Sequence, residues 1–301
     1  MSYTHLLSCA AAVVIASGAA SAQFLMVPDS TGDRIMLFSE ADGSLVNANF
    51  INDGAGVGYD WQTPKDVIQV NNEIWVSDQL SDSITRFTTS GAFIANITGG
   101  LDNIRGMAFA QGKVYVSNSG SGNGAPGQAV IIYDTAGNFS ASAAVPDPFD
   151  VHEYRGELLI SNIAGDNIER YDYGLNFLGT FFDGNGTSNL DFPQQLATRS
   201  NGNLLAAGFS PPDGIYEYTP GGAQVGGALV PGTGPRGVHE LLNGNIMFTT
   251  GAGVFVLNPG SGQVTQIISG VSGQYINRLI PTPSAIALAG LAGLAGLRRR
   301  R

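Results

Sequence analysis

Oxygen-bearing and imidazole side chains recur at fixed places in this sequence. Asp66 and Asp150 occupy the third position of two Pro-led segments, Pro64-Lys-Asp-Val-Ile68 and Pro148-Phe-Asp-Val-His152. Asn118 and Asn162 close the strand-like runs Val114-Tyr-Val-Ser-Asn118 and Leu158-Leu-Ile-Ser-Asn162. Carboxylate and amide oxygens are the ligands that hard divalent cations take, so Asp66, Asn118, Asp150 and Asn162 are candidate ligands for Ca2+ or another divalent cation. The same residue types also have an ordinary use after a strand, where they accept hydrogen bonds from their own turn. Both readings stand at this point. His152 and His239 share one repeated position, held elsewhere by Ile68, Ala108 and Ala197, and two histidines fall short of the three protein ligands that zinc needs. The run Asp183 to Asp191 alternates oxygen-bearing side chains as calcium loops do, but it lacks the glycine at the sixth position. No Ser-His-acid arrangement, phosphate-binding glycine loop or nucleotide fingerprint occurs. No residue is assigned a catalytic role.

The elements that must position these residues come as an internal repeat of about 40 residues, the period of propeller blades. A short hydrophobic strand ending in a small polar turn recurs six times: Phe24 to Asp29, Ile74 to Asp78, Val114 to Asn118, Leu158 to Asn162, Leu204 to Gly208 and Ile246 to Thr250. A second strand follows each, with a β-branched opener and a large or aromatic closer in copies such as Ile84-Thr-Arg-Phe87 and Ile168-Glu-Arg-Tyr171, as suits a half-buried pleated surface. Glycine-bearing turns such as Asp42-Gly43 and Ser90-Gly91 then lead to a third strand, of which Leu45 to Ile51 and Gln224 to Leu229 are examples. The Pro-led segment precedes the first strand of each unit. The chain starts at Phe24 without that leading strand and ends with a spare one, Tyr275 to Ile280, read as the register copy Ile276-Asn-Arg-Leu-Ile280. The spare strand should complete the first blade. The predicted fold is therefore all-β: a six-bladed β-propeller over residues 23–280, closed by a C-terminal strand joining the N-terminal blade, which removes exposed edges from the ring.

The glycine-rich connections Asp53-Gly-Ala-Gly-Val-Gly58 and Asp183-Gly-Asn-Gly-Thr187, each ahead of a proline, with Ile74-Trp-Val-Ser-Asp78 and Ile84-Thr-Arg-Phe87, resemble the NHL family of propellers. The resemblance spans nearly all of Phe24 to Ile280. It implies that ligands meet the central channel, where Asp66, Asn118, Asp150, His152, Asn162 and His239 are the candidate binding residues. Relatives of the gluconolactonase type hold a divalent cation there, so the resemblance also implies the set Asp66, Asn118, Asp150 and Asn162 as its ligands.

The ends carry addresses rather than fold. Residues 1–22 run from an apolar stretch, Leu6 to Ile15, to Ala20-Ser21-Ala22, the small-x-small pattern of a cleaved secretory signal. Cleavage there removes Cys9, the single cysteine, and leaves neither disulfides nor thiolate metal sites. In residues 281–301, an apolar run of about 14 residues, roughly 20 Å as a helix and short of a ≈30 Å hydrocarbon core, ends in Arg298, Arg299, Arg300 and Arg301. With Pro281, Thr282 and Pro283 before it, this end resembles the PEP-CTERM sorting segment, although Thr282 stands where that family has Glu. The resemblance implies an envelope sorting protease as a partner and membrane attachment through the segment, transient if the segment is removed. Between the two addresses, 24 acidic residues outnumber the basic ones, and such a body is unsuited to nucleic acid, whose phosphates need basic patches. The chain thus reads as an exported, envelope-sorted propeller that binds an extracellular polysaccharide or surface protein, the alternative being a divalent-metal-dependent lactonase or other hydrolase.

Overall fold

The computed structural model describes residues 23–53, 58–184 and 187–280, and the segments 1–22 and 281–301, expected to be a secretory signal and a sorting segment, lie outside the described residues. The described chain forms twenty-three strands and no helix. The first blade takes β1 (Phe24–Asp29), β2 (Arg34–Ser39) and β3 (Leu45–Asn52). The second is β4 (Pro64–Val70), β5 (Glu73–Asp78), β6 (Ser83–Thr88) and β7 (Phe93–Thr98). The third is β8 (Ile104–Ala110), β9 (Lys113–Asn118), β10 (Ala129–Asp134) and β11 (Phe139–Ala144). The fourth holds β12 (Pro148–Tyr154), β13 (Glu157–Asn162), β14 (Asn167–Tyr171) and β15 (Phe177–Phe182), and the fifth β16 (Pro193–Thr198), β17 (Leu204–Gly208) and β18 (Gly214–Tyr218). The sixth consists of β19 (Gly237–Glu240), β20 (Ile246–Thr250), β21 (Gly253–Leu257) and β22 (Val264–Ser269), after which β23 (Asn277–Leu279) lies against β1. These sheets make a six-bladed propeller, with β4, β8, β12, β16, β19 and β23 as the innermost strands.

Two elements differ from the sequence expectation. β23 pairs antiparallel with β1 through Phe24↔Leu279 and Met26↔Asn277, and Gly273 bridges Asp29 as Pro64 faces Asp78 in the second blade. The copy of Pro64 is therefore Gly273 and not Ile276, a shift of three residues. In the fifth blade, Gln224 to Leu229 forms no strand and meets β18 through two isolated bridges, Tyr218↔Gln224 and Ile215↔Leu229, and a bond from Val225 N to Glu217 O. Gly226-Gly227 sits between those bridges, with Gly226 at a φ of 67°, so the segment cannot hold an extended ladder.

Packing is between blades. Six apolar clusters form, each joining two neighbours. Met26, Ile35, Val67 and Phe87 lie between the first and second blades, and Leu25, Phe38, Met247 and Val254 between the sixth and the first. Hydrogen bonds reinforce this packing. The register of the innermost strand shifts near its start in the second to fifth blades, leaving backbone groups without a ladder partner. Where the neighbouring strand has a Ser or Thr one residue before its end, that hydroxyl serves them. Ser77 Oγ accepts from Asp66 N and donates to Arg105 O of the next blade, Ser117 Oγ donates to Phe149 O, and Thr249 Oγ1 accepts from Gly237 N and donates to Gln274 O.

Gly106 takes the place that Asp66 and Asp150 hold in their blades because a side chain there would meet the next blade: a Cβ would stand 2.3 Å from Asp150 Oδ1 and 2.7 Å from Asp150 Cα. Gly106→Ala is expected to lower unfolding stability by roughly 1–3 kcal/mol through overpacking, and Ser77→Ala by roughly 1–3 kcal/mol through the buried carbonyl and amide left unpaired. Urea denaturation of the variants against the parent checks both.

Candidate functional site

The innermost strands carry one residue of each blade to the same level of the channel: Lys65, Arg105, Phe149, Gln194, Arg236 and Gln274. Lys65 closes it. Its Nζ donates to Gln194 Oε1 at 2.9 Å and Gln274 Oε1 at 2.8 Å, and lies 5.0 and 4.9 Å from the ring centres of Phe149 and Tyr275. Burial holds the Lys65 amine well below its ordinary range, and the nearby Arg236 and Arg105 charges add to this. None of these six residues was singled out from the sequence for the site. The cue was weak, because each sits in a different repeat copy and the residue type at this position changes from copy to copy.

Asp66 and Asp150 lie at the next level and tie blades together. Asp66 Oδ1 accepts from Val67 N and from Asn277 Nδ2, both at 2.7 Å, and Oδ2 accepts from Met107 N of the third blade at 2.6 Å. Asp150 Oδ2 accepts from Leu196 N of the fifth blade at 2.8 Å. Gln195 plays the same part, its Oε1 accepting from Val238 N and Ile276 N, each at 2.9 Å. Burial raises the Asp66 carboxyl to about 7 against the pull of its hydrogen bonds, and raises Asp150 well above the carboxylate range with help from the Asp66 charge.

Asn118 and Asn162 stand at the end of the ring where the innermost strands begin, as the last residues of β9 and β13. Asn118 Oδ1 accepts from Asp102 N and its Nδ2 donates to Gly120 O and Gly127 O. Asn162 Oδ1 accepts from Ala164 N and Gly165 N, both at 3.0 Å. Asp29 and Asp78 do the same work in their turns. A divalent cation of the kind implied by the gluconolactonase resemblance would need oxygens freed toward one point. The oxygen of Asn118 is engaged by the connection before β8 and that of Asn162 by its own turn, those of Asp66 and Asp150 in blade ties, and no three His, Cys, Asp or Glu side chains are grouped to hold a metal ion among the described residues. The four residues do not fit that role.

The histidines point to the opposite mouth. His152 and His239 share their level with Asn277, and His152 Nε2 lies 2.8 Å from Thr198 Oγ1. His239 Nε2 is 3.3 Å from Glu40 Oε1, which also accepts from Arg278 Nε at 2.6 Å. Burial opposes the Glu40 charge, but the hydrogen bonds from His239 and Arg278 hold its carboxyl below the usual range. His152 and Arg278 border a cleft of about 610 Å³ with apolar walls from Ile68, Met107, Phe109 and Val151 and polar edges from Asn72 and Glu153.

Burial depresses the His152 imidazole to about 4, and the His239 charge adds to it. Since the folded pKa lies below the ordinary 6.5, the neutral ring supports the fold above about pH 6.5, and that support is lost as pH falls through about 4. Asp66 has the opposite sign: its contribution is full below the ordinary carboxyl value and lost as pH rises through about 7. His152→Gln is expected to flatten the fall in melting temperature between pH 6.5 and 4, measured by circular dichroism, while leaving the alkaline side unchanged.

Comparison with family models and with curated proteins gives no match. Among solved structures, the chain is similar to one in a nidogen/laminin complex, at 14% identity over 85% of this chain and 98% of that one with a TM-score of 0.66. It is similar to a protein of unknown function from Bacteroides caccae, at 13% identity over 87% and 100% with a TM-score of 0.59. A catalytically inactive virginiamycin B lyase from Staphylococcus aureus with quinupristin aligns at 15% identity over 74% and 71% with a TM-score of 0.52. At such identities the likeness speaks for the β-propeller fold alone.

Proposed function

We propose that this chain is an exported, envelope-sorted propeller that works by binding, through the cleft at the mouth bordered by His152 and Arg278, an extracellular polysaccharide or surface protein. The observation that carries this reading is the division of labour around the channel. The acidic and amide side chains that metal-assisted hydrolysis would use are spent on backbone N–H groups, while the far mouth keeps an open cleft of about 610 Å³. Apolar walls with a few polar groups at the edge are the usual make-up of a recognition site. The nidogen/laminin likeness supplies a propeller of similar shape in a protein complex.

Export and sorting rest on the two address segments. The sequence of 1–22 supports a secretory signal, and Pro281, Thr282 and Pro283 with the arginine end support handling by an envelope sorting protease. The ring ends at Ile280, one residue before the sorting segment, so address and fold are separable in this reading.

Two experiments test it. Deleting residues 281–301 is expected to release a folded protein into the medium, seen by blotting of fractions and by an unchanged melting temperature; retention in the envelope would refute the sorting role. Phe109→Asp, which places a charge on the cleft wall, is expected to weaken binding to isolated envelope polysaccharide or to cells by at least tenfold without changing the fold. Lactone turnover dependent on a stoichiometric divalent cation would overturn the binding role in favour of hydrolysis.

A further inference from the structure

At the other mouth of the channel, where the innermost strands begin, Arg105 and Arg236 hold no close carboxylate. Arg34, Arg86, Arg170 and Arg199 each hold a carboxylate oxygen at 3.0 Å or closer, and Arg278 grips Glu40. Arg105 has only Asp147 at 3.7 Å and a long bond to Pro148 O, and Arg236 donates to the Ser272 hydroxyl. The third basic group, Lys65, is bonded to two neutral amides. Arg105 and Arg236 thus make the positive end of the channel, beside a Lys65 whose charge burial disfavours and which the Asp66 and Asp150 carboxyls face from the next level.

Two donors in this centre are unused. Arg105 is 8% exposed and its Nε has no hydrogen-bond partner, and the hydroxyl of the fully buried Tyr275 has none either, among the described residues. Burial raises the Tyr275 hydroxyl well above its ordinary value, so it stays a donor. A buried donor without an acceptor is costly, more so when charged. An acceptor with negative charge would satisfy both. Above them runs an aromatic wall: Phe149 and Phe192 at 5.2 Å, then Phe192 and Phe209 at 5.6 Å, with Arg105 over Phe149 at 4.4 Å and Arg236 over Phe209 at 5.7 Å. Phe192, Phe209 and Arg236 are half-buried and form its accessible side.

We infer that this mouth is a second binding site, independent of the His152 cleft, for a small monocarboxylate with a flat apolar body. The carboxylate accepts from Arg105 Nε and the Tyr275 hydroxyl, facing Lys65 and Arg236, and the flat body lies along Phe192 and Phe209. A guanidinium suits a planar carboxylate better than a point charge does. The surrounding turns carry Asp29, Asp53, Asp78, Asp102, Asp166 and Asp213, whose oxygens cap loop N–H groups. This collar repels polyanions and restricts the site to a ligand with one buried charge.

Benzoate is the probe, measured by titration calorimetry and thermal shift on the full chain, with benzyl alcohol as its uncharged counterpart. Benzoate is expected to bind and to raise the melting temperature, and benzyl alcohol to bind at least tenfold more weakly. Tyr275→Phe removes a hydroxyl that bonds to nothing in the fold, so it should keep the parent's melting temperature and lose about tenfold in benzoate affinity. Arg105→Gln should lose more. Phe109→Asp, in the far cleft, should leave benzoate binding intact, so a failure here and a failure of the cleft reading are told apart. Equal binding of benzoate and benzyl alcohol, no binding of either, or unchanged benzoate affinity in folded Tyr275→Phe would overturn the site.

Discussion

The ring depends on how the innermost strands satisfy their backbone. A strand on the wall of a narrow channel has one edge without a neighbouring strand, and here the ladder also slips near the start of four innermost strands. Unpaired amides and carbonyls in such a place would erode the stability that the apolar blade junctions supply. Hydroxyls and carboxylates from the adjacent blade take up the bonds, as Ser77 does for Arg105 O and Asp66 for Met107 N. The polar residues of the channel are therefore structural first. What is left for recognition are the two mouths, one lined by His152 and Arg278, the other by Arg105, Arg236 and phenylalanine rings.

The blades were legible in the sequence because each repeats a strand, a polar turn and a second strand with the same residue types, down to the Ser in Val-Ser-Asp78 and Val-Ser-Asn118. What that serine does was not legible. Its partners, Arg105 O and Phe149 O, belong to the next repeat, and a contact between repeats leaves no mark within either. The last innermost strand was displaced by three residues for a related reason: Gly273 stands where most other copies have proline, so the punctuation that fixed their register was missing. In the fifth blade the hydrophobic pattern of Gln224 to Leu229 suggested a full strand, but the paired glycines Gly226 and Gly227 broke the ladder between its two bridges.

The candidate site was legible in part. The repeated position of Asp66 and Asp150 pointed to the channel wall, and that of His152 and His239 to one common level. Residue type alone could not say whether an Asp faces a ligand or a neighbour's amide, since either uses the same oxygens. The central cations escaped notice for the opposite reason. Lys65, Arg105 and Arg236 stand in separate repeats, and only the closing of the ring turns six dispersed residues into one enclosed layer.

Ile280 is the residue at which the ring ends. Its backbone is held on both sides by one side chain, Gln69, which accepts from Ile280 N at 2.7 Å and donates to Ile280 O at 3.1 Å, and the strand before it, β23, has three residues. Any pull on the chain beyond Ile280 is therefore borne first by that amide and by a strand of three pairs. Considered as a mechanical object, the propeller is loaded at its shortest strand, and force would peel β23 from β1 before it strained any of the other blades. The same detachment would bare the β1 edge and withdraw Asn277 from Asp66, so tension at the C-terminal side reaches the channel wall directly.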